Sequence, residues 1–549
     1  MDLARTEYCS SLTMPLLSPY SFASMCSISG IVGAGGISGV KSMMECQRHR
    51  APDESGVYQD AVITMGMGRL RIIDLASPGL APYSEDGLVL CYNGEIFNYL
   101  ELKKVLQQKG WKFRTTSDTE VLLKAWREWG VKMFDKLNGM FAFAIYDSHK
   151  QLLWLARDIA GEKPLYYYHR GRTLVFASEA KALAGVIPLE EQGNAFYDTF
   201  QHCFHTTLWK DVYEVPPAHY LAYNLKTRHN TLVEYWKFQP VTVKPKTALE
   251  ELEELLGNAV ALRLRSDVPT GLYFSKGIDS SLISSFHNFD HRFYFDDTKN
   301  WRRDFFAQLG RVAYHLDFPV GSLSAYPLWK LAQQASRKVK VVLSGEGADE
   351  IFGGYVRYLP IAREWELQKS YPSYQYIFNK YYPAYLDGFS KITTRNGNTE
   401  LARDWLKPHF DRFENPISAM GFADFKLILP SLLQMGDRMA GAFGIENRCP
   451  FLDRRVIEFG FSLPAELKID NLDQKVILRR ILQKRGVLAP LRDEKKGLTI
   501  RFNEWLGRKD WDRSSYSNLL RKEWSNSLKR ATARPVRAVV PRTKIVAGR

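Results

Sequence analysis

Apolar residues in the first third of the chain fall into short blocks. Residues 62–67, 88–92, 141–146, 152–156 and 173–177 are β-rich runs between turn-forming residues, and each predicts a strand. Residues 99–108 and 119–129 instead space their apolar side chains at helical intervals. Together they predict an α+β layered domain with mostly antiparallel pairing. A proline-bearing stretch, residues 215–245, reads as a junction.

Beyond it the pattern changes. A helix at 248–263, a strand at 271–274, a glycine-bearing turn and another helix predict an α/β unit on a parallel sheet. Residues 291–295 predict the next strand, and 312–317 a helix before a strand at 338–343. From residue 355 to about 506 the pattern is mainly helical. The expected division is a leader or mis-assigned start at 1–25, a first domain at 26–215, a linker at 216–245, a second domain at 246–515 and a basic tail without structure signal at 516–549.

A length of 549 residues allows two or three domains, and 45% apolar with 25% charged residues is ordinary for a soluble globular chain. No apolar run approaches the roughly 18 residues of a membrane span. Pro15, Pro19 and Glu7 make the opening stretch a poor secretory signal, so a cytoplasmic location and no membrane partner are expected. The net charge of +15 raises the question of nucleic acid. Much of the excess lies after Glu523, where no acid follows, and zinc-finger spacing and aromatic ribonucleoprotein motifs are absent, so no nucleic-acid partner is expected. The six cysteines form no C-x-x-C pair and suit neither zinc nor a disulfide framework.

Candidate chemistry lies in ordered strings. Cys26-Ser27-Ile28 is followed by Arg48-His49-Arg50-Ala51-Pro52-Asp53, Arg69-Leu70-Arg71, Asn93-Gly94-Glu95, Thr116-Ser117-Asp118 and Arg157-Asp158 with Lys163-Pro164-Leu165-Tyr166. In this order they resemble the class II glutamine amidotransferase domain. The resemblance implies a layered N-terminal-nucleophile (αββα) fold in which Cys26 is the nucleophile and its α-amino group the base. Thiolate chemistry suits amide hydrolysis near neutral pH. Asn93 and Gly94 would form the oxyanion hole, Arg69 would hold the glutamine carboxylate, and Glu95 and Asp118 its ammonium. Twenty-five residues precede Cys26, so either translation starts at Met25 and that residue is removed, or a leader is cleaved, or glutaminase activity is lost. Ala51 stands where the family usually has glycine.

In the second half, Phe274-Ser275-Lys276-Gly277-Ile278-Asp279-Ser280-Ser281 follows a predicted strand, and Leu343-Ser344-Gly345-Glu346-Gly347-Ala348-Asp349-Glu350 follows another. Asp437-Arg438-Met439, Glu446-Asn447-Arg448-Cys449-Pro450-Phe451-Leu452-Asp453 and Lys475 come later. The first string is similar to the pyrophosphate loop of enzymes that split ATP between its α and β phosphates, with Lys276 in place of the loop's first glycine. The whole set resembles glutamine-hydrolysing asparagine synthetase, over residues 26 to about 506. The resemblance implies an ATP pyrophosphatase-like α/β domain with a helical C-terminal part. Phe274, Ser275, Gly277, Asp279, Ser280, Ser281, Ser344 and Gly345 would bind ATP, and Asp279 and Asp349 would hold Mg²⁺. Glu346 would handle the intermediate or the incoming ammonia's proton, and Lys475 would stabilise phosphate charge.

Glutamine and aspartate are then the substrates, and a homodimer is allowed. Two alternatives stand beside this reading: an amidotransferase on another carboxylate, and a degenerate relative retaining at most glutaminase activity. The interval from 282 to 343 is shorter than the family pattern, with Asp317-Phe318-Pro319 where an acidic residue commonly precedes the proline. Moving ammonia between two sites calls for an apolar, water-poor domain interface.

Overall fold

The computed structural model describes residues 25–33, 36–51, 53–190, 207, 209–296, 298–317, 323–367, 408, 411–488, 519 and 522–523. The expected leader except Met25, nearly all of the basic tail, Cys9 and Cys203 lie outside them.

The first half contains β1 (Ser27–Val32), α1 (Ile37–Cys46), β2 (Glu54–Gln59), β3 (Ile63–Arg69), β4 (Tyr83–Glu85), β5 (Leu88–Ile96), α2 (Tyr99–Gln108) and α3 (Asp118–Trp129). Then come β6 (Gly139–Asp147), β7 (Leu152–Arg157), β8 (Tyr166–Arg170), β9 (Thr173–Ala177), α4 (Ala180–Leu183), β10 (Val212–Glu214), β11 (His219–Asn224) and β12 (Asn230–Glu234). They form two six-stranded sheets, ordered β10-β8-β9-β1-β3-β2 and β12-β11-β7-β6-β5-β4. β1 and β3 of one sheet face β5 of the other; α1 covers the first sheet, and α3, with α2 beside it, covers the second. Strands covered on both faces read as continuous apolar runs, and β1 and β3 are buried at every position. Helix α3 starts where Ser117 accepts a hydrogen bond from the Thr119 N–H at 3.2 Å, with Asp118 and Glu120 favourably placed in its first turn.

Residues 216–245 correct the expected linker. β11 and β12 pair with each other, and β11 pairs with β7, so this stretch completes the second sheet. The prolines that suggested a junction, Pro216, Pro217, Pro240 and Pro245, flank the hairpin rather than interrupt it.

The second half contains α5 (Ala248–Arg263), β13 (Thr270–Tyr273), α6 (Ile278–Phe286), β14 (Arg292–Phe293), α7 (Arg302–Leu316), α8 (Ala325–Ala335), β15 (Val341–Leu343), α9 (Ala348–Phe352) and α10 (Leu359–Leu367). After them come α11 (Pro416–Leu427), α12 (Leu429–Gly441), β16 (Glu446–Arg448), α13 (Arg454–Ser462), α14 (Ala465–Lys468), the two-residue strands β17 (Ile469–Asp470) and β18 (Asp473–Gln474), and α15 (Val476–Lys484). The sheet is parallel throughout, ordered β14-β13-β15-β16. Helix α8 stands between α7 and β15, so residues 312–317 do not lead directly into that strand as expected. Asp317 ends α7 in a left-handed conformation, φ 66°. Among the described residues no single helix is long and apolar enough to cross a membrane; the bent pair α11 and α12 is apolar because it is almost wholly buried.

The join between halves carries buried charge beside the apolar packing expected, for single apolar clusters include residues of both halves. Asp453 is fully buried and caps α13 by accepting from Arg455 N–H at 3.1 Å. It also accepts from Arg263 at 3.1 Å and from Asn138 of the first half at 2.9 Å. Burial raises its pKa, but Arg455 and Arg263 more than offset that and hold it near about 2. Because the folded pKa is depressed, the stabilisation is complete above ~pH 4 and lost as pH falls through about 2. Asp453→Ala leaves Arg263 buried without its carboxylate and is expected to lower the unfolding free energy by about 3 kcal/mol, read from denaturant midpoints. The difference from wild type should shrink below ~pH 4; an undiminished difference there would refute the assignment.

Candidate functional site

In the second half the strings from loops 275–281 and 344–350 meet Lys475 at the carboxyl ends of β13 and β15, the usual ligand position on a parallel sheet. Gly277 precedes α6, and Asp279 lies in that helix's first turn. Ser275 and Ser280 bond to one another through their hydroxyls at 3.1 Å, and Ser280 Oγ accepts from Ser275 N–H at 3.2 Å, closing the loop. Ser281 is buried in α6, and Phe274 N–H donates to Phe293 O at 2.7 Å, tying the loop's start to β14. A side chain on Gly345 would press on Asp279, so the two loops approach at a distance only glycine permits.

Lys475, left-handed at φ 55° and buried, places its Nζ 2.5 Å from Asp279 Oδ1 and 2.6 Å from Asp349 Oδ1. Burial disfavours that ammonium, but the two carboxylates outweigh burial and raise its pKa. Gly354 leaves room for the cluster, since a Cβ there would overlap both Asp349 and Lys475. Lys276 is left-handed at φ 61°, which explains why glycine suits this position; its ammonium sits 5.9 Å from the Tyr294 ring. Glu346 bonds to the Ser344 hydroxyl, accepts from Asn447 Nδ2 at 3.4 Å and lies 3.6 Å from Cys449 Sγ. The neighbouring Glu350, missed in the sequence, is buried beside Asp349 and pushed up to about 7, with Tyr355 donating to it at 2.5 Å.

The first half gathers a second group. Cys26 Sγ accepts from Leu70 N–H at 3.3 Å, and burial pushes its thiol up to about 12. Asn93, in β5, is buried with neither side-chain polar atom hydrogen-bonded, which is costly unless a ligand completes it. Gly94, φ 149°, is crowded by the Met140 carbonyl and admits no side chain. Arg69 is held by Ile73 O at 2.7 Å, Asp74 O at 3.0 Å and Glu54 at 3.2 Å. Asp118 accepts from Tyr92 OH at 2.8 Å and Ile96 N–H at 3.1 Å. Burial and the nearby Asp118 charge raise the Glu95 pKa well above the ordinary value. Ala51 has φ −143°, so the usual glycine is not required there.

Residues 25–236 match the glutamine amidotransferase domain family, and residues 251–298 and 295–535 match the asparagine synthase family. Asparagine synthetase (glutamine-hydrolyzing) 1 of Bacillus subtilis is 30% identical over 539 residues, covering 85% of this chain and 84% of its own. This chain belongs to the glutamine-hydrolysing asparagine synthetase family. A putative asparagine synthetase (glutamine-hydrolyzing) 2 of Methanocaldococcus jannaschii is 31% identical over 402 residues, covering 61% of this chain and 76% of its own. A solved glutamine phosphoribosylpyrophosphate amidotransferase from B. subtilis, 19% identical, covers 47% of this chain and 62% of its own at a TM-score of 0.29, a likeness too slight to bear on the fold.

Several strings that resemble this family meet at the domain join, some of them also touching the Cys26 group. Arg50 makes a two-point contact with Asp437, at 2.8 and 3.2 Å, and holds Glu179 and the Cys26 carbonyl, each at 3.2 Å. Arg438 reaches Asp317 at 3.1 Å and Ser178 O at 3.2 Å. Asp317 also accepts from the Ala180 and Lys181 N–H groups at 2.7 and 2.8 Å, so it fastens the domains together. Arg448 contacts Glu95 at 3.2 Å, Glu446 at 2.8 Å and the carbonyls of Arg263 and Arg265 at 2.9 and 2.7 Å. β16 thereby forms a wall: Glu446 and Arg448 face the Cys26 group, while Asn447 and the following Cys449 face Glu346.

Met25, wholly buried, fills the space before Cys26, with Lys163 Nζ 3.6 Å from its sulfur. While the Met25–Cys26 peptide bond is intact, iodoacetamide at neutral pH should alkylate Cys26 on the order of a thousandfold more slowly than a free cysteine. Peptide mass spectrometry over time checks this; labelling at the free-cysteine rate would contradict the buried thiol.

Proposed function

We propose that the protein makes asparagine from aspartate, ATP and glutamine in the cytoplasm, with the first domain an N-terminal-nucleophile glutaminase and the second the ligase. The observation carrying this reading is the convergence of Asp279, Asp349 and Lys475, from three separate strings, on one point beside the α6 N-terminus. The Lys475 ammonium held between two carboxylates is the kind of cation position Mg²⁺ would share, because Mg²⁺ is commonly bound by one or two carboxylates together with substrate phosphates. Mg²⁺ would neutralise phosphate charge there. Lys475, displaced toward the phosphates, would supply a further charge where the transition state needs one.

Loop 275–281 and the first turn of α6 would cradle the pyrophosphate end of ATP through backbone N–H groups. The aspartate side-chain carboxylate would attack the α-phosphorus and expel pyrophosphate, and ammonia would then displace AMP. Glu346, anchored by Ser344 and Asn447, would accept the proton ammonia sheds as it attacks.

In the first domain the Cys26 thiolate would attack the glutamine amide. The unpartnered Asn93 amide and Gly94 N–H would receive the developing oxyanion. Arg69 would take the substrate carboxylate, and Glu95, one of whose oxygens has no partner, would take the ammonium with Asp118. Freeing the Cys26 α-amine requires loss of Met25, which would also vacate the space beside Lys163.

Pyrophosphate release is the decisive assay. With MgATP, aspartate-dependent release should occur with either glutamine or ammonium as donor. Cys26→Ala should abolish glutamine-dependent asparagine formation and keep the ammonium-dependent reaction, whereas Lys475→Ala should lower both by about 10²-fold or more. Release with an acid other than aspartate would identify another acceptor, and glutamate formation alone would refute the ligase reading.

A further inference from the structure

A cavity lies on the seam between the domains, lined by none of the site residues described above. Its walls include Phe134, Phe141 and Tyr235 of the first domain and Leu452 of the second, with Asn138 and Arg454, both half-buried, near solvent. Phe134 and Tyr235 stack at 4.1 Å. Two carboxylates line it, and they differ. Asp158 spends both oxygens on backbone N–H groups: Oδ1 accepts from Ala160, Gly161 and Glu162, and Oδ2 from Phe141 and Lys163. Glu162 is only 6% exposed, and its Oε2 has no partner.

We propose that this cavity is a solvent entrance for ammonium to the ligase site, with Glu162 as the group that receives its proton. The inference rests on the ligase reading above. Aromatic walls with a single available carboxylate suit a small cation. The inner side leads to the right place: Cys449, whose thiol lies 3.6 Å from Glu346, is among the groups that act on Glu162, and Leu452 packs on Gly347 of the same loop.

The groups facing Glu162 are Asp158, Arg263, Lys163 and Cys449; burial and then the Asp158 charge push its carboxyl up to about 8, against the pull of Arg263 and Lys163. That value approaches those of amines, which keeps proton transfer from ammonium nearly level. In the transfer an ammonium N–H bond breaks and an O–H bond forms on Glu162 Oε2. Neutral ammonia moves inward past Cys449 with its lone pair free, and the proton returns to water past Asn138 and Arg454.

The test is steady-state asparagine formation by wild type, Glu162→Gln and Ile159→Trp, with ammonium chloride or glutamine as donor and methylammonium as a competitor. Ile159 lines the cavity and is half-buried, so tryptophan there narrows it while leaving the Glu162 carboxyl group in the chain. Both variants should raise the KM for ammonium by about tenfold while glutamine-dependent kcat/KM stays within about twofold. In wild type methylammonium should compete with ammonium and not with glutamine. Equal loss with both donors, or no change with ammonium in either variant, overturns the entrance. If wild type releases no aspartate-dependent pyrophosphate with either donor, the ligase reading falls and the entrance with it.

Discussion

Burying a charge is tolerable only where an opposite charge and hydrogen bonds meet it, and the two halves of this protein are joined by charges that satisfy one another across the seam. Arg50 and Arg448, both fully buried, reach Asp437 and Glu95 in the opposite domain. Such pairs add little net stability compared with a well-packed apolar join, yet removing one partner is severe. Their two-point and directional contacts are satisfied in one relative placement of the domains. Two reactions that share a nitrogen atom need that placement.

The chain's architecture was largely legible. β3, β5, β6, β7 and β9 gave apolar or β-rich runs, and Ser117 caps α3 where a helix was expected, whereas β1, with Ser27, Ser29 and Gly30, gave no such run. The hairpin at 219–234 was not legible because nearby prolines signalled a break while its own alternation is short. β16 is only three residues long, and two of them are charged; its burial comes entirely from neighbours distant in sequence. No local pattern announces such a strand.

The candidate site divides in the same way. Asp279, Asp349 and Lys475 were named from their strings, and the fold brings them together. What the strings concealed was a second use of the same residue types. Arg50, Asp437, Arg438, Glu446 and Arg448 lie within the quoted strings yet make the join, and Asp317 locks α4. Charged residues in a signature look alike whether they touch substrate or another domain. Only their burial and partners separate the two, and both depend on contacts across hundreds of residues.

β16 has a consequence for how such a chain can change. Its side chains alternate between the two chemical compartments, so a single-residue insertion or deletion within it would exchange their contents, turning Glu446 and Arg448 toward the ligase cluster and Asn447 toward the thiol. A change of length in this strand therefore disturbs both compartments at once, whereas a substitution disturbs only the one its side chain faces.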